Sequence, residues 1–296
     1  MKERHTSTQG VLLSLAASLL FATIFYLSAL VDVSANVVVT YRVIATVVLF
    51  ALPLAGREFR GQLAEYWNSL TSHRWKPLLL PVLSALVGLQ LWVFAWAPIN
   101  GHALEASLGF LLLPIAMVFG GWLVLKDRLT TGQWIAVFLA MAAVVFKFLA
   151  APQASWVTLV IAVGYPVYFI IRRLTGLDNP IAFGVEMAVL APVAVFVVAT
   201  AAIPVDQGHQ TVVLIAIGVA GTVAMVCYLA ASRLLPLPLF GLLGYVEPVL
   251  LVAVALLLGE RPSEVDMLVY GLLAIALFAI TTDSFRKTQA GSQATN

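Results

Sequence analysis

Charged residues are scarce in this sequence. They make up 10% of its 296 residues, and hydrophobic residues make up 62%, whereas soluble proteins have about 25% charged and about 45–50% apolar residues. A water-soluble core cannot absorb so large an apolar excess, which excludes an ordinary soluble domain. The net charge of +2 is small, and it gives no support for binding to nucleic acid.

Cysteine is nearly absent as well. The single cysteine, Cys227, lies inside an apolar stretch and cannot form an intrachain disulfide or a cysteine metal site. The sequence also lacks a Walker-type phosphate loop, a Gly-x-Gly-x-x-Gly turn and a His-Glu-x-x-His helix, which are typical of nucleotide-binding proteins and zinc enzymes. We therefore expect no enzyme activity, no metal and no cofactor.

Ten apolar stretches follow one another with short polar breaks between them. Each is close to the roughly 20 residues that a helix needs to cross about 30 Å of hydrocarbon, and they lie near 10–30, 36–55, 77–97, 104–125, 132–149, 154–171, 181–203, 211–231, 237–258 and 264–282. A lone strand cannot satisfy its backbone in lipid, and the alternation of a membrane barrel is missing. The sequence therefore predicts an all-α integral membrane protein with ten transmembrane helices. The longer break near 56–76 is predicted to hold a short interfacial helix.

Lysine and arginine are distributed unevenly among the polar breaks. With the N-terminus inside, almost all of them fall on that side, and only Arg261 falls in an outward loop. Positive residues accumulate on the cytoplasmic side of membrane proteins. We therefore predict a multi-pass protein of the cell inner (cytoplasmic) membrane, with both termini in the cytoplasm. The first apolar stretch is too long for a signal peptide and is predicted to be retained.

The two halves of the chain resemble each other at an offset of about 134 residues. Each half has an intramembrane proline followed by an acidic-Arg turn; the matching runs are Gly109-Phe-Leu-Leu-Leu-Pro114 with Lys126-Asp-Arg-Leu-Thr130, and Gly244-Tyr-Val-Glu-Pro248 with Gly259-Glu-Arg-Pro-Ser263. Five spans per half is an odd number, so the halves run in opposite senses across the membrane. We predict two inverted five-helix repeats, 1–149 and 150–296, with helix kinks at Pro114 and Pro248. Chance similarity between apolar helices is the alternative.

Several short motifs resemble one known family. They are the run Trp96-Ala-Pro-Ile-Asn-Gly-His-Ala-Leu-Glu-Ala-Ser-Leu-Gly109, the pair Tyr41-Arg42, Glu186 followed by Pro192, and the run Gly244-Tyr-Val-Glu-Pro248. In these motifs the chain resembles the RarD-type permeases of the EamA drug/metabolite transporter superfamily. The resemblance implies two EamA-like repeats and the export or uptake of a small organic solute.

Ionisable residues inside the apolar stretches are the first candidates for a site. A charge near the bilayer centre costs at least about 2.5–3.5 kcal/mol on insertion scales, so it persists mainly where it faces a cavity or a partner. Glu247 lies near the middle of its predicted span and is either a binding or coupling residue or a structural glutamate. Arg42 either extends toward the outer surface or points inward, to Glu247 or to an anionic substrate group. Glu186, close enough to the inner end of its span to reach interfacial water, is a further candidate for coupling or for a structural role.

Polar and aromatic residues extend this candidate site. Gln90, Trp92 and Tyr245 offer hydrogen bonds and flat faces to an aromatic or amphipathic solute. An outer rim that acts as a gate, or that caps the next helix, is formed by Asn100, His102 and Glu105.

The sequence thus predicts a secondary transporter that moves a small metabolite or drug by alternating access. A non-transporting membrane scaffold or a lipid-handling protein is the alternative. The expected partners are the small-molecule substrate, the lipid bilayer, and protons or another coupling ion. Substrate identity, direction of transport and oligomeric state are not predicted.

Overall fold

The computed structural model describes residues 8–126, 129–150, 155–179, 181–200, 208–235, 240 and 243–276. Within these ranges every regular element is a helix. The helices are α1 (Thr8–Leu30), α2 (Ala35–Ala51), α3 (Arg57–Thr71), α4 (Leu79–Ile99), α5 (Ala103–Gly120), α6 (Thr131–Ala150), α7 (Trp156–Thr175), α8 (Ile181–Thr200), α9 (Gly208–Leu234), α10 (Val246–Leu257) and α11 (264–276). A π-helical turn, Gly121–Leu125, extends α5, and short 3₁₀ turns flank α3.

Seven of these segments are long and apolar enough to cross a membrane: Thr8–Leu30, Ala35–Ala55, Lys76–Ile99, Ala103–Leu125, Trp156–Thr175, Ile181–Thr200 and Gly208–Ser232. Two shorter apolar helices, Thr131–Lys147 and Val246–Leu257, lie within predicted spans. The predicted all-helical, multi-pass membrane class is confirmed. The count of ten spans stays a prediction, because parts of the predicted spans 181–203, 237–258 and 264–282 lie outside the described residues.

The exterior of the helix bundle is apolar, and its interior contains polar side chains. Large hydrophobic side chains are exposed along the outer faces, for example Phe138 on α6, Phe196 on α8 and Leu257 on α10. In contrast, Arg42 and Glu186 are buried. This distribution suits a surface that faces lipid and an interior that contains a polar site.

The helix in the long break after α2 is confirmed. Helix α3 carries mostly polar, exposed residues and buries Tyr66 and Leu70, which lie one turn apart. The Ser69 hydroxyl donates a hydrogen bond of 2.9 Å to the carbonyl oxygen of Gly176, just after α7. Helix α3 therefore lies against the end of the bundle where α7 ends.

The described part of the ninth predicted span contains a turn. A turn at Gly244 and Tyr245 precedes α10, which begins at Val246. The kink at Pro248 stays a prediction; this proline lies in the first turn of α10, where its missing N–H costs no intrahelical hydrogen bond. Pro114, in contrast, lies inside α5 as predicted.

Helices from the two halves of the chain pack against each other. Helix α9 lies between α1 and α2, and α7 packs against both α4 and α5. The approach of α9 to α2 is close, because a Cβ atom at Gly218 would lie 2.7 Å from the backbone oxygen of Tyr41. Helices α5, α6 and α11 share a separate apolar cluster, and an ion pair between Lys147 and Asp266 joins α6 to α11.

Candidate functional site

A cavity of about 160 Å³ lies inside the helix bundle. Its wall is formed by residues of α1, α2, α4, α5, α7, α8, α9 and α10. Three charged residues, Arg42, Arg172 and Glu247, contribute to the wall, and most of the remaining surface is aromatic or aliphatic. The aromatic residues are Phe21, Phe94, Phe110, Tyr165, Tyr168, Phe169, Phe183 and Tyr228.

Arg42 points inward from α2. Its side chain is only 6% exposed, and its guanidinium lies 5.3 Å from the ring centroid of Phe94. The Nη1 atom is buried and has no hydrogen-bond partner among the described residues. Of the two orientations considered from the sequence, the structure has the inward one.

Glu247 also lines the cavity, from the first turn of α10. A carboxylate is stabilised at this position because the N-terminus of a helix carries partial positive charge and unpaired N–H groups. Glu247 is close enough to interact electrostatically with Arg42, Tyr165 and Tyr228. Arg42 and Glu247 nevertheless form no ion pair within 4.0 Å, the only such pairs in the described ranges lying elsewhere.

Aromatic rings pack edge to face and in stacks along the cavity wall. The Phe94 ring meets the Phe110 ring edge-on, with centroids 5.6 Å apart. The Tyr165 ring centroid lies 5.8 Å from that of Phe110, and the Tyr165 ring stacks on Phe169 with centroids 6.2 Å apart. This wall offers flat, apolar surfaces to a bound solute.

A polar network formed by Tyr168, Arg172 and Glu186 lies where α7 ends and α8 begins. The Tyr168 hydroxyl donates a hydrogen bond of 2.6 Å to Glu186 Oε2 and accepts one from Arg172 Nη1. Arg172 Nη2 also donates to the carbonyl oxygen of Asn179 at 2.7 Å, and it lies 3.8 Å from Asp178 Oδ1. Glu186 is fully buried, so the prediction that it reaches interfacial water was wrong: Tyr168 holds its carboxylate inside the bundle.

Three buried polar atoms around this network have no hydrogen-bond partner among the described residues. They are Glu186 Oε1, Arg172 Nε and the Tyr66 hydroxyl. Burial, together with the nearby negative charge of Glu186, raises the pKa of Tyr66 to about 12. The Tyr66 hydroxyl therefore stays protonated at physiological pH and remains a potential donor.

Sequence reasoning missed the role of Arg172. It follows the predicted span 154–171 and was not among the predicted site residues, but it lies in the last turn of α7 and is 6% exposed. One signal was available: Tyr165, Tyr168 and Arg172 are spaced by three and four residues, which places them on one helix face. The neighbouring Arg173 is exposed.

Three predicted binding residues lie outside the wall of this cavity. Gln90 is fully buried, and its Nε2 atom donates a hydrogen bond of 2.9 Å to the Val160 carbonyl, which ties α4 to α7. Trp92 Nε1 donates to Asn36 Oδ1 at 2.8 Å and lines a second cavity, of about 290 Å³, between α2, α4 and α8. Tyr245 precedes α10 and packs on the apolar cluster shared by α5, α6 and α11.

The predicted rim lies at the opposite end of the bundle from the polar network. Asn100 Nδ2 donates to the Trp96 carbonyl at 2.8 Å, and His102 Nδ1 lies 3.0 Å from Glu105 Oε1. The His102 ring stacks on Trp96, which in turn packs against Trp156. These contacts lie where α4 ends and α5 begins.

Glu260 caps α5 from the other half of the chain. Its carboxylate accepts hydrogen bonds from the backbone N–H groups of Ala103, at 2.7 Å, and Leu104, at 2.8 Å. These are orphan donors of the first helical turn. Sequence reasoning used the turn that contains Glu260 only as a mark of the repeat and did not anticipate this contact.

The comparisons with known proteins agree with this architecture. The sequence model of the EamA-like transporter family matches residues 8–149. The chain is 39% identical over 287 residues to the chloramphenicol-sensitive protein RarD of Pseudomonas aeruginosa, covering 95% of this chain and 96% of the relative. It is also 33% identical to an uncharacterized transporter of Haemophilus influenzae, covering 94% of this chain and 95% of the relative. It is 28% identical to the protein RarD of Escherichia coli, covering 93% of this chain and 95% of the relative.

A solved crystal structure shares the fold. It superposes with a TM-score of 0.59 at 19% sequence identity and covers 93% of this chain and 98% of the other. Near-complete coverage of relatives in both directions leaves no large segment unmatched. The chain therefore belongs to the RarD-type permeases of the EamA drug/metabolite transporter superfamily, and it is a multi-pass membrane transporter.

Proposed function

We propose that the protein is a secondary carrier that moves a small organic solute across the cytoplasmic membrane by alternating access. One observation carries the proposal: an aromatic cavity, enclosed by helices of both halves, has Arg42 and Glu247 on its wall without a direct ion pair between them. Buried charges of this kind mark substrate and ion pathways in membrane proteins.

We further propose that 1–149 and 150–296 are inverted repeats of five spans each. In this scheme the five spans of the first half, α1, α2, α4, α5 and α6, correspond in order to α7, α8, α9, α10 and α11. Helix α1 then corresponds to α7 and α4 to α9, so the contact of α1 with α9 should have a counterpart between α7 and α4. Both contacts occur. The contacts of α2 with α9 and of α4 with α8 form a second such pair, and those of α5 with α7 and of α1 with α10 form a third. Paired contacts are expected of a pseudo-two-fold axis in the membrane plane.

The conformation corresponds, in this proposal, to an inward-facing carrier. The cavity wall runs along α7 from Tyr165 to Arg172, in the last turn of the helix. The basic segment that contains α3 lies at the same end, tied through Ser69 to Gly176. Positive residues favour the cytoplasmic side, so we assign this end, and both termini, to the cytoplasm. The rim of Asn100, His102 and Glu105 then forms the outer gate.

Individual residues take different roles in this scheme. Arg42 and Glu247 contact the substrate, and Glu186 participates in coupling through its hydrogen bond to Tyr168. Gln90 and Trp92 act indirectly, because each ties α4 to a neighbouring helix. Tyr245 acts through the turn before α10, which sets the position of Glu247. The coupling species is a proton or another ion.

Site-directed labelling tests alternating access directly. Cys227 is the only cysteine in the sequence, so Cys227→Ser gives a cysteine-free background. Met225→Cys lines the cavity, and Ser107→Cys lies buried near the rim. In proteoliposomes, solutes that raise labelling of Ser107→Cys by a water-soluble maleimide should lower labelling of Met225→Cys.

The matched control is Val223→Cys, on the same helix as Met225 but exposed on the outer face. Its labelling by the aqueous reagent should stay low in every condition. If both cavity positions change together, alternating access is refuted. If no solute from a metabolite and drug panel crosses vesicles that contain folded protein, the carrier function itself is refuted.

A further inference from the structure

The cavity holds two opposite charges that do not neutralise each other by direct contact. The Arg42 side chain forms no hydrogen bond with another described residue, and its buried Nη1 is without a partner there. The Glu247 carboxylate likewise has no hydrogen bond or ion pair with another described residue, although it is near enough to Arg42 to interact with it electrostatically. The third charge on the wall, Arg172, is already engaged by Tyr168, Asn179 and Asp178.

This arrangement fixes the charge that a ligand can bring. Arg42 presents several donors in one plane, which match the two oxygens of a carboxylate. Glu186 and Asp178 interact electrostatically with Arg172 and offset its charge, which leaves Arg42 and Glu247 as one positive and one negative charge on the cavity wall. An added anion would leave one net negative charge in a poorly solvated space, where uncompensated charge is strongly disfavoured. Protonation of Glu247 restores the balance.

We propose that the transported ligand is an amphipathic organic monoanion of the carboxylate type, bound by Arg42 and accompanied by one proton taken up at Glu247. This inference rests on the proposed carrier function and adds the substrate class and the coupling ion. The carboxylate meets the guanidinium, and the apolar body lies against the rings of Phe94, Phe110 and Tyr165.

Arg42 is the charged residue that interacts electrostatically with Glu247. The titratable groups that face it are Arg42 of α2, Tyr165 of α7 and Tyr228 of α9. From α1 and α5, the wall contributes only the apolar side chains Phe21, Phe110 and Leu113. Removal of the proton-accepting group at Glu247 should therefore remove the pH dependence of ligand binding.

Four probes with one aromatic ring and similar length separate the possible ligand charges. They are 3-phenylpropionate, 3-phenylpropionamide, phenethylamine and L-phenylalanine, which are anionic, neutral, cationic and zwitterionic. Binding to the purified full-length protein is measured by titration calorimetry from about pH 6 to about pH 8.5, where the probe carboxylate stays ionised. Buffers of different ionisation enthalpy give the number of protons taken up.

The wild-type protein should bind 3-phenylpropionate most tightly and take up about one proton per anion. Its affinity should rise by up to about tenfold per unit fall in pH. Glu247→Gln should bind the anion with no proton uptake and no pH dependence. Arg42→Gln should lose at least about tenfold in affinity, and Arg42→Lys should retain an intermediate affinity because it keeps the charge without the planar fork.

Size-exclusion profiles and unfolding temperatures identify variants that fail to fold. If Arg42→Gln fails to fold, Arg42→Lys still tests the role of the guanidinium. The inference is overturned if no anionic probe binds, if anion affinity is independent of pH, or if L-phenylalanine or phenethylamine binds best and is lost in Glu247→Gln. If proteoliposomes carry a neutral or cationic solute instead, the carrier function survives and only the substrate class fails. If they carry nothing, both fail.

Discussion

Removal of the Tyr168 hydroxyl should destabilise the fold. This hydroxyl donates the 2.6 Å hydrogen bond to Glu186 Oε2, and Glu186 Oε1 already lacks a partner in the described residues. Tyr168→Phe therefore leaves a fully buried carboxyl group without a hydrogen bond. An unsatisfied buried polar group costs about 1–3 kcal/mol, and more when it is charged. We expect Tyr168→Phe to lower the free energy of unfolding by about 2–3 kcal/mol.

The assay is equilibrium unfolding in detergent micelles, followed by tryptophan fluorescence. Tyr165→Phe, three residues earlier on α7, is the matched control, because Tyr165 lines the cavity and its hydroxyl forms no hydrogen bond with another described residue. A double-mutant cycle with Glu186→Leu should give a coupling energy of about 0.5–3 kcal/mol. Equal stability of the two Tyr→Phe variants, together with additive effects in the cycle, would refute the reasoning.

Two further predictions concern glycine packing and helix capping. Gly221→Ala should weaken ligand binding several-fold with little loss of stability, because its Cβ would lie 3.2 Å from Nε of Arg42. Gly218→Ala should instead lower the unfolding temperature, because the added Cβ would force α2 and α9 apart. The same thermal loss in both variants, with unchanged binding, would contradict this assignment. Glu260→Ala should lower the free energy of unfolding by about 1–2 kcal/mol, because the first N–H groups of α5 lose their acceptor. Unfolding curves that match those of the wild-type protein would exclude this capping role.

The sequence was informative where a charge interrupts an apolar run. Arg42 and Glu247 stand out because a charge in hydrocarbon must face a cavity or a partner, and both lie on the cavity wall. The apolar stretches also predicted the helical membrane class, because their lengths match the bilayer. These two inferences depend on composition and length, which are local properties of the chain.

Orientation around a helix was the information that the sequence could not supply. Helix α4 is apolar on all sides, so no periodicity indicates which face meets the cavity. Gln90 and Trp92 were therefore chosen by residue type, and both turn toward neighbouring helices instead. Arg172 and Glu260 were missed for a related reason: their partners are set by the packing of distant segments, and Glu260 contacts residues more than 150 positions away.

The two buried arginines differ in a way that separates structure from function. Arg172 donates to Tyr168 and Asn179 and holds the junction of α7 and α8 together, so its burial is explained by the contacts that it makes. The Arg42 side chain makes no hydrogen bond with another described residue, and its guanidinium lies 5.3 Å from the centroid of the Phe94 ring. A buried charge without a hydrogen-bonded partner destabilises a fold, and nothing in the packing of α2 requires one. The charge of Arg42 is therefore best explained by a ligand that supplies the missing acceptor, which is the role of the site rather than of the scaffold.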